Sequence, residues 1–111
     1  GDGGFMMGGM NEFNTAVRLK QNLIVILCND SAYGAEHIQF IDRDMDPGLA
    51  MFEWPDFAQI ATALGGTGIA VTNDAQLAEC IDVIQSRDAQ NCGPLLIELR
   101  IDPNDVPRMR I

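Results

Sequence analysis

Apolar positions along the chain fall into two patterns, continuous runs and stripes at helical spacing. Residues 23–28, Leu-Ile-Val-Ile-Leu-Cys, are an unbroken apolar run with three β-branched members. A half-buried strand would alternate, so this one is predicted to be covered on both faces, as in a parallel sheet. Residues 94–101 hold a second run, broken only by Glu98 and Arg100, and residues 68–71 a short third one. Between them lie helical stripes. Phe13, Ala16, Val17 and Lys20 share one face of a helix over residues 11–20, with the Lys20 stem able to cover apolar surface. Pro55 stands at a predicted helix start, Phe57, Ile60, Ala61 and Leu64 form the stripe, and Gly65-Gly66 ends it. Asn73 with Gln76 three residues on makes a capping box, opening a helix expected to bury Leu77, Ile81 and Ile84.

The remaining segments carry no period. Residues 1–9 are glycine-rich and are predicted to be a loop, residues 29–34 a turn, residues 35–54 a long loop with at most one helical turn, and residues 102–111 a proline-broken tail. Strands that alternate with helices imply right-handed crossovers and a three-layer α/β/α domain with a mostly parallel sheet. Ligands of such sheets sit outside the carboxyl ends of the strands. The 29–34 turn belongs there. So does the 1–9 loop if a strand, missing from this chain, ends just before Gly1.

Size and charge narrow the chemistry. The 111 residues make one small domain, and 47% of them are apolar. No apolar run approaches ~18 residues, so no membrane span is expected, and the glycine-rich start has no basic leader. Sixteen acidic residues against seven Lys plus Arg give a net charge of −9, which argues against nucleic acid or an anionic membrane surface as a partner. A polyanionic ligand would need a divalent cation or aligned backbone N–H groups to neutralise it. Cys28, Cys80 and Cys92 form no CxxC pair and are expected to be mostly buried free thiols of a cytoplasmic protein. His37, the single histidine, is expected on an exposed loop.

Two short stretches stand out as chemistry. Gly1-Asp2-Gly3-Gly4 opens the chain, and Asn29-Asp30-Ser31-Ala32-Tyr33-Gly34 follows the first apolar run. A carboxylate in each, plus a backbone carbonyl, supplies the hard oxygens that Mg²⁺ prefers. Gly3 and Gly4 lack a Cβ, so their backbone can approach a phosphate, and the following helix aims its N-terminus at the same place. Taken singly, Asp2 reads more simply as a turn residue and Asp30 as a strand-end cap.

Taken together, the two stretches resemble a family. G-D-G, then Glu12-Phe13-Asn14-Thr15-Ala16, then an apolar strand ending in N-D-x-A-Y-G, is similar to the thiamine diphosphate enzymes of the pyruvate decarboxylase, acetolactate synthase and benzoylformate decarboxylase type. Residues 55–65 resemble the family's P-D-F helix, and residues 94–107 its closing G-P-x-L-I-E segment. The resemblance implies the cofactor thiamine diphosphate with Mg²⁺ and a small 2-oxo acid as substrate. It further implies a decarboxylase or carboligase working as a homo-oligomer or with the remaining domains of a parent enzyme. By position, Asp2 resembles the first metal ligand, and alignment on Tyr33-Gly34 makes Asp30 the second and the Ala32 carbonyl the third. Counting from Asp2 instead favours Asn29, because the stretch around Gly8-Gly9 holds one residue more. Gly1, Gly3, Gly4, Phe5, Asn29, Tyr33 and Gly34 would surround the cofactor, and Met6 or Met7 would line its thiazolium. Gly4 stands where many relatives have Ser or Ala, so a hydroxyl for the phosphate is absent, and Asp30 adds negative charge near it. None of Glu12, Glu36, Glu53, Glu79 or Glu98 matches the glutamate that activates the cofactor in relatives. A non-catalytic cofactor-binding module, or a degenerate relative, therefore stands as the alternative to an enzyme.

Overall fold

The computed structural model describes residues 1–88, 90 and 92–105. Three parallel strands, β1 (Ile24–Asn29), β2 (Thr67–Val71) and β3 (Leu95–Arg100), form a sheet in the order β1-β3-β2. Ile24 and Thr67 both pair with Leu95, and Asn29 pairs with Arg100. The chain steps outward from β1 to β2 and then back to β3. Right-handed crossovers then require the connecting helices on opposite faces. This is observed. Helix α4 (Phe57–Ala63) joins helix α2 (Met10–Arg18) over Leu27 and Leu96, while α5 (Asp74–Ser86) presents Cys80 to Val71, Leu95 and Ile97 on the other face. The result is the expected α/β/α arrangement.

Helix ends follow local chemistry. Asp56 caps α4 by accepting the Gln59 N–H at 2.8 Å, so the helix opens two residues after Pro55, and it ends at Gly65, with φ +97°. Asn73 caps α5 through the Gln76 N–H at 2.9 Å. The Gln76 side chain returns to the N–H and hydroxyl of Thr72, not to Asn73.

Several expectations about elements and their packing are overturned. The glycine-rich start is helical. Asp2–Gly4 (α1) runs through a π-turn, Phe5–Gly9, directly into α2. Each glycine costs ~1 kcal/mol in a helix, but tertiary contacts outweigh that here. Asp2, Gly3, Phe13 and Ala16 are buried, and the Phe5 ring meets Phe57 edge-on at 5.7 Å. The π-turn closes wider i→i+5 rings than the α-helix on either side of it and so takes up extra chain in this segment.

Helix α3 (Gly34–Asp42) and a 3-10 turn (Pro47–Ala50) occupy what reads as a long loop. On α3, His37 is 5% exposed with Nε2 3.1 Å from Asn104 Oδ1, so it is not a loop histidine. On α5, Leu77 and Ile81 face outward, and it is Cys80 and Ile84 that meet the sheet. Cys28 is exposed and Cys92 half-buried, leaving Cys80 as the buried thiol.

A last correction concerns β1. Continuous apolar character predicts two covered faces, and the central strand β3 obeys, with Leu95, Leu96 and Ile97 all buried. In β1, Leu27 is buried but Ile24 and Ile26 on the opposite face are open, Ile26 by 62%. Among the described residues α5 covers β2 and β3 on that face, and no strand pairs with the outer edge of β1. The tail expected over residues 102–111 lies partly outside the described residues.

Candidate functional site

The carboxyl end of β1 carries a tightly bonded turn. Asn29 sends its Nδ2 into Glu98 at 2.7 Å and accepts the Ser31 N–H on Oδ1 at 2.9 Å. That bond holds Ser31 in a left-handed conformation, φ 56°, uncommon for a residue with a Cβ. Asp30 Oδ1 accepts the Ala32 N–H at 3.2 Å. Residues 31–33 are then zipped to residues 50–52, Tyr33 N–H to Ala50 O at 2.9 Å and Phe52 N–H to Ser31 O at 2.8 Å. This pattern leaves the Ala32 carbonyl outside the ladder. Gly34 follows, and a Cβ there would stand 2.6 Å from Asp30 Oδ2. Only glycine lets the chain turn into α3 without displacing that carboxylate.

Gly1 lies beside the Cys28 carbonyl, so the chain's opening residues reach the same sheet end. Asp2 is 1% exposed and its Oδ2 accepts the Trp54 indole N–H at 2.6 Å. The Asp30 carboxyl lines the same pocket as Asp2. Burial raises Asp30 above the usual carboxylate range, the charge of Asp2 adds to the rise, and the Ala32 N–H opposes it.

A pocket of about 300 Å³ opens here. Gly1, Asp2, Gly3, Gly4, Asp30, Ala32, Tyr33 and Gly34 all line it. Phe5 and Asn29 do not. Phe5 packs on Phe57, and Asn29 lines a neighbouring polar pocket with Ser31, Trp54, Asp56, Glu98 and Arg100. Gly3 has a different reason from the one its sequence suggests, since a Cβ would strike the Tyr33 ring at 2.4 Å; beside Gly4 there is open space. Met6 and Met7 are exposed, Met7 by 74%, and line neither pocket.

Two residues of this site are invisible to spacing. Trp54 reaches Asp2 across 52 positions, from a stack on Phe52 with ring centroids 4.7 Å apart. Glu98 is 1% exposed and gathers Asn29, the Ala58 N–H at 3.3 Å and the Arg100 Nε at 3.2 Å. An acid inside an otherwise buried strand run was a usable signal for Glu98. Trp54 offered only its singularity.

This geometry meets a clear likeness to known proteins. Residues 1–99 match the thiamine pyrophosphate enzyme family in its C-terminal TPP-binding domain. The chain belongs to this family. It is 34% identical over 105 residues to "Acetolactate synthase" of Bacillus subtilis (strain 168), covering 95% of the chain and 18% of that protein. It is 32% identical over 107 residues to "Acetolactate synthase, catabolic" of Raoultella terrigena, covering 96% of the chain and again 18% of the relative. The chain thus spans under a fifth of the length of these relatives. As a thiamine pyrophosphate-binding domain it matches the family resemblance of its motifs and its α/β architecture. No helix among the described residues is long and apolar enough to cross a membrane.

Proposed function

We propose that this domain binds thiamine diphosphate through Mg²⁺, with Asp2, Asp30 and the Ala32 carbonyl as protein ligands, within a 2-oxo acid decarboxylase or carboligase of the acetolactate synthase kind. The observation that carries this is that Asp2 and Asp30, from two separate motifs, line one pocket at the carboxyl end of β1. The donor set fits the ion. Among the described residues no group of three or more acidic, His or Cys side chains could hold a metal ion, so the third protein ligand has to be a backbone carbonyl. Two carboxylates and one carbonyl leave octahedral positions for diphosphate oxygens and water, which is how Mg²⁺ is usually held. A cation also offsets the burial and the neighbouring Asp2 charge that raise Asp30, and it neutralises a diphosphate that a chain of net charge −9 would otherwise repel. The pocket volume suits a diphosphate end and not a whole cofactor.

When bound, thiamine diphosphate supplies an electron sink for the carbanion left by decarboxylation. The chain's own residues bind and orient. The α1 amides at Gly3 and Gly4 lie at the pocket wall, where first-turn N–H groups of the helix running on to Arg18 can meet phosphate oxygens. Glu98, through Asn29, holds the turn that carries Asp30 and Ala32. No glutamate of this chain takes the activating role, so turnover requires residues from elsewhere in the protein or from a partner copy, and cytoplasmic 2-oxo acid metabolism is the setting the reading implies.

Calorimetric titration of thiamine diphosphate tests the proposal. Binding is expected with Mg²⁺ present, to vanish with a chelator, and to fall at least about tenfold in Asp2→Ala and in Asp30→Ala. Equal affinity with and without the metal would sink it. Retained metal dependence in Asp30→Ala, with loss in Asn29→Ala, would move the second ligand to Asn29.

A further inference from the structure

Trp54 is the chain's single tryptophan, and the functional reading leaves it without a role. Its indole has one polar atom, a donor with no capacity to accept. That atom is spent on Asp2 Oδ2 at 2.6 Å, at the short end for an N–H···O bond. The ring is clamped on two sides, stacked on Phe52 at an interplanar angle of 19° and tilted against Phe57 with centroids 6.2 Å apart. Phe52 is in turn held edge-on by Tyr33 at 4.7 Å, and its N–H is bonded to Ser31 O in the Asp30 turn. The donor is therefore fixed by the same strand-like segment that fixes the second carboxylate. Asp2 is almost wholly buried, and the indole is the donor that reaches its Oδ2.

We infer that Trp54 is the positioning residue for Asp2, and that by occupying Oδ2 it confines Asp2 to single-oxygen ligation and so favours Mg²⁺ over Ca²⁺. The inference rests on the metal reading above. Ca²⁺ accepts six to eight oxygens and gains from carboxylates that chelate with both. Mg²⁺ takes six at shorter distance and holds several waters. A carboxylate with one oxygen already engaged by a rigid donor suits the second ion and handicaps the first. Partners of this kind fix the orientation of a ligand and commonly change metal affinity by ~10–100-fold when removed.

The test uses thiamine diphosphate titrations of the chain in MgCl₂ and in CaCl₂, compared across wild type, Trp54→Phe and Phe52→Leu. Trp54→Phe keeps a stacking ring and deletes the N–H. It is expected to weaken the Mg²⁺-dependent affinity by about tenfold and to shift the Mg²⁺/Ca²⁺ affinity ratio toward Ca²⁺ at least several-fold. Phe52→Leu loosens the stack and keeps the N–H, so it should weaken both ions alike and leave the ratio unmoved. A ratio unchanged in Trp54→Phe means Trp54 only packs, and the inference falls while the metal reading stands. A wild-type chain that binds thiamine diphosphate without any divalent cation defeats the metal reading, and this one with it. Should Trp54→Phe fail to fold, the single indole N–H resonance of the wild type decides. It should move in Asp2→Asn and on saturation with MgCl₂ plus thiamine diphosphate; a resonance indifferent to both overturns the assignment.

Discussion

Gly34 shows how finely the candidate site depends on one missing methyl. Its absent Cβ is the space in which Asp30 Oδ2 sits, 2.6 Å from where that carbon would be. Gly34 is the first residue of α3 and its φ is not in the left-handed region, so alanine suits the backbone itself. Gly34→Ala is therefore expected to leave thermal stability nearly unchanged or slightly raised, while the displaced carboxylate weakens Mg²⁺-dependent cofactor binding by about tenfold. Parallel melting and calorimetry check both halves, and an unchanged affinity would show that Asp30 adapts. Asp2 and Asp30 illustrate the complementary point. Asp2 is buried and Asp30 half-buried at one pocket, a placement of acidic side chains that packing alone would not select.

Among elements, α4 and β3 are joined by a small charged network. Asp56 caps α4 and accepts Arg100 at 3.0 Å, Arg100 also meets Glu98, and Glu98 reaches back to the α4 amide of Ala58. The Gln59 N–H, with help from Arg100, holds the Asp56 carboxyl below its ordinary value of 3.8. A depressed folded-state pKa contributes stability that is present above 3.8 and is lost as the pH falls through the lowered value. Asp56→Ala is accordingly expected to cost ~1 kcal/mol near neutrality, chiefly as a lost cap, because the exposed ion pair adds little. In urea unfolding the difference from wild type should shrink in strong acid; a difference that persists there would put the effect in packing. Glu98 is a harsher case. Removing it leaves the Asn29 amide and the Ala58 N–H unpaired in a buried place and takes one partner from the exposed Arg100, so Glu98→Ala should cost ~3 kcal/mol or more, with Glu98→Gln recovering part of it. A loss under ~1 kcal/mol would mean that water replaces the carboxylate.

For the whole molecule, the uncovered side of β1 is the dominant feature. Leu23, Ile24, Ile26 and Cys28 are exposed beside an edge that pairs with no strand among the described residues. An apolar edge of that kind is a template for association. We propose that the 111-residue chain self-associates through it, most simply as a two-fold dimer. Light scattering at micromolar concentration should report a species larger than a monomer, and Ile26→Lys should move the population toward monomer, since an inward-facing charge would be buried unpaired. A wild-type chain that is a stable monomer would overturn the proposal.

What the sequence determined by itself is what neighbours in the chain can specify. Asp56 and Asn73 cap helices because the amides they bond lie three residues away. Alternation of apolar runs with helical stripes suffices for a parallel α/β sheet, and two short motifs suffice to bring the family and its pocket into view. Tertiary structure decided the rest. Whether a glycine-rich segment coils depends on Phe5 finding Phe57, and whether an apolar strand is covered depends on which strands lie beside it. His37 is buried because Asn104 comes back to it across 67 positions. Asp2 is oriented by an indole 52 positions away, and Asn29 is turned from the pocket by a carboxylate 69 positions on. Periodicity reads a few residues at a time, and it cannot register bonds whose partners meet only once the sheet has closed its crossovers.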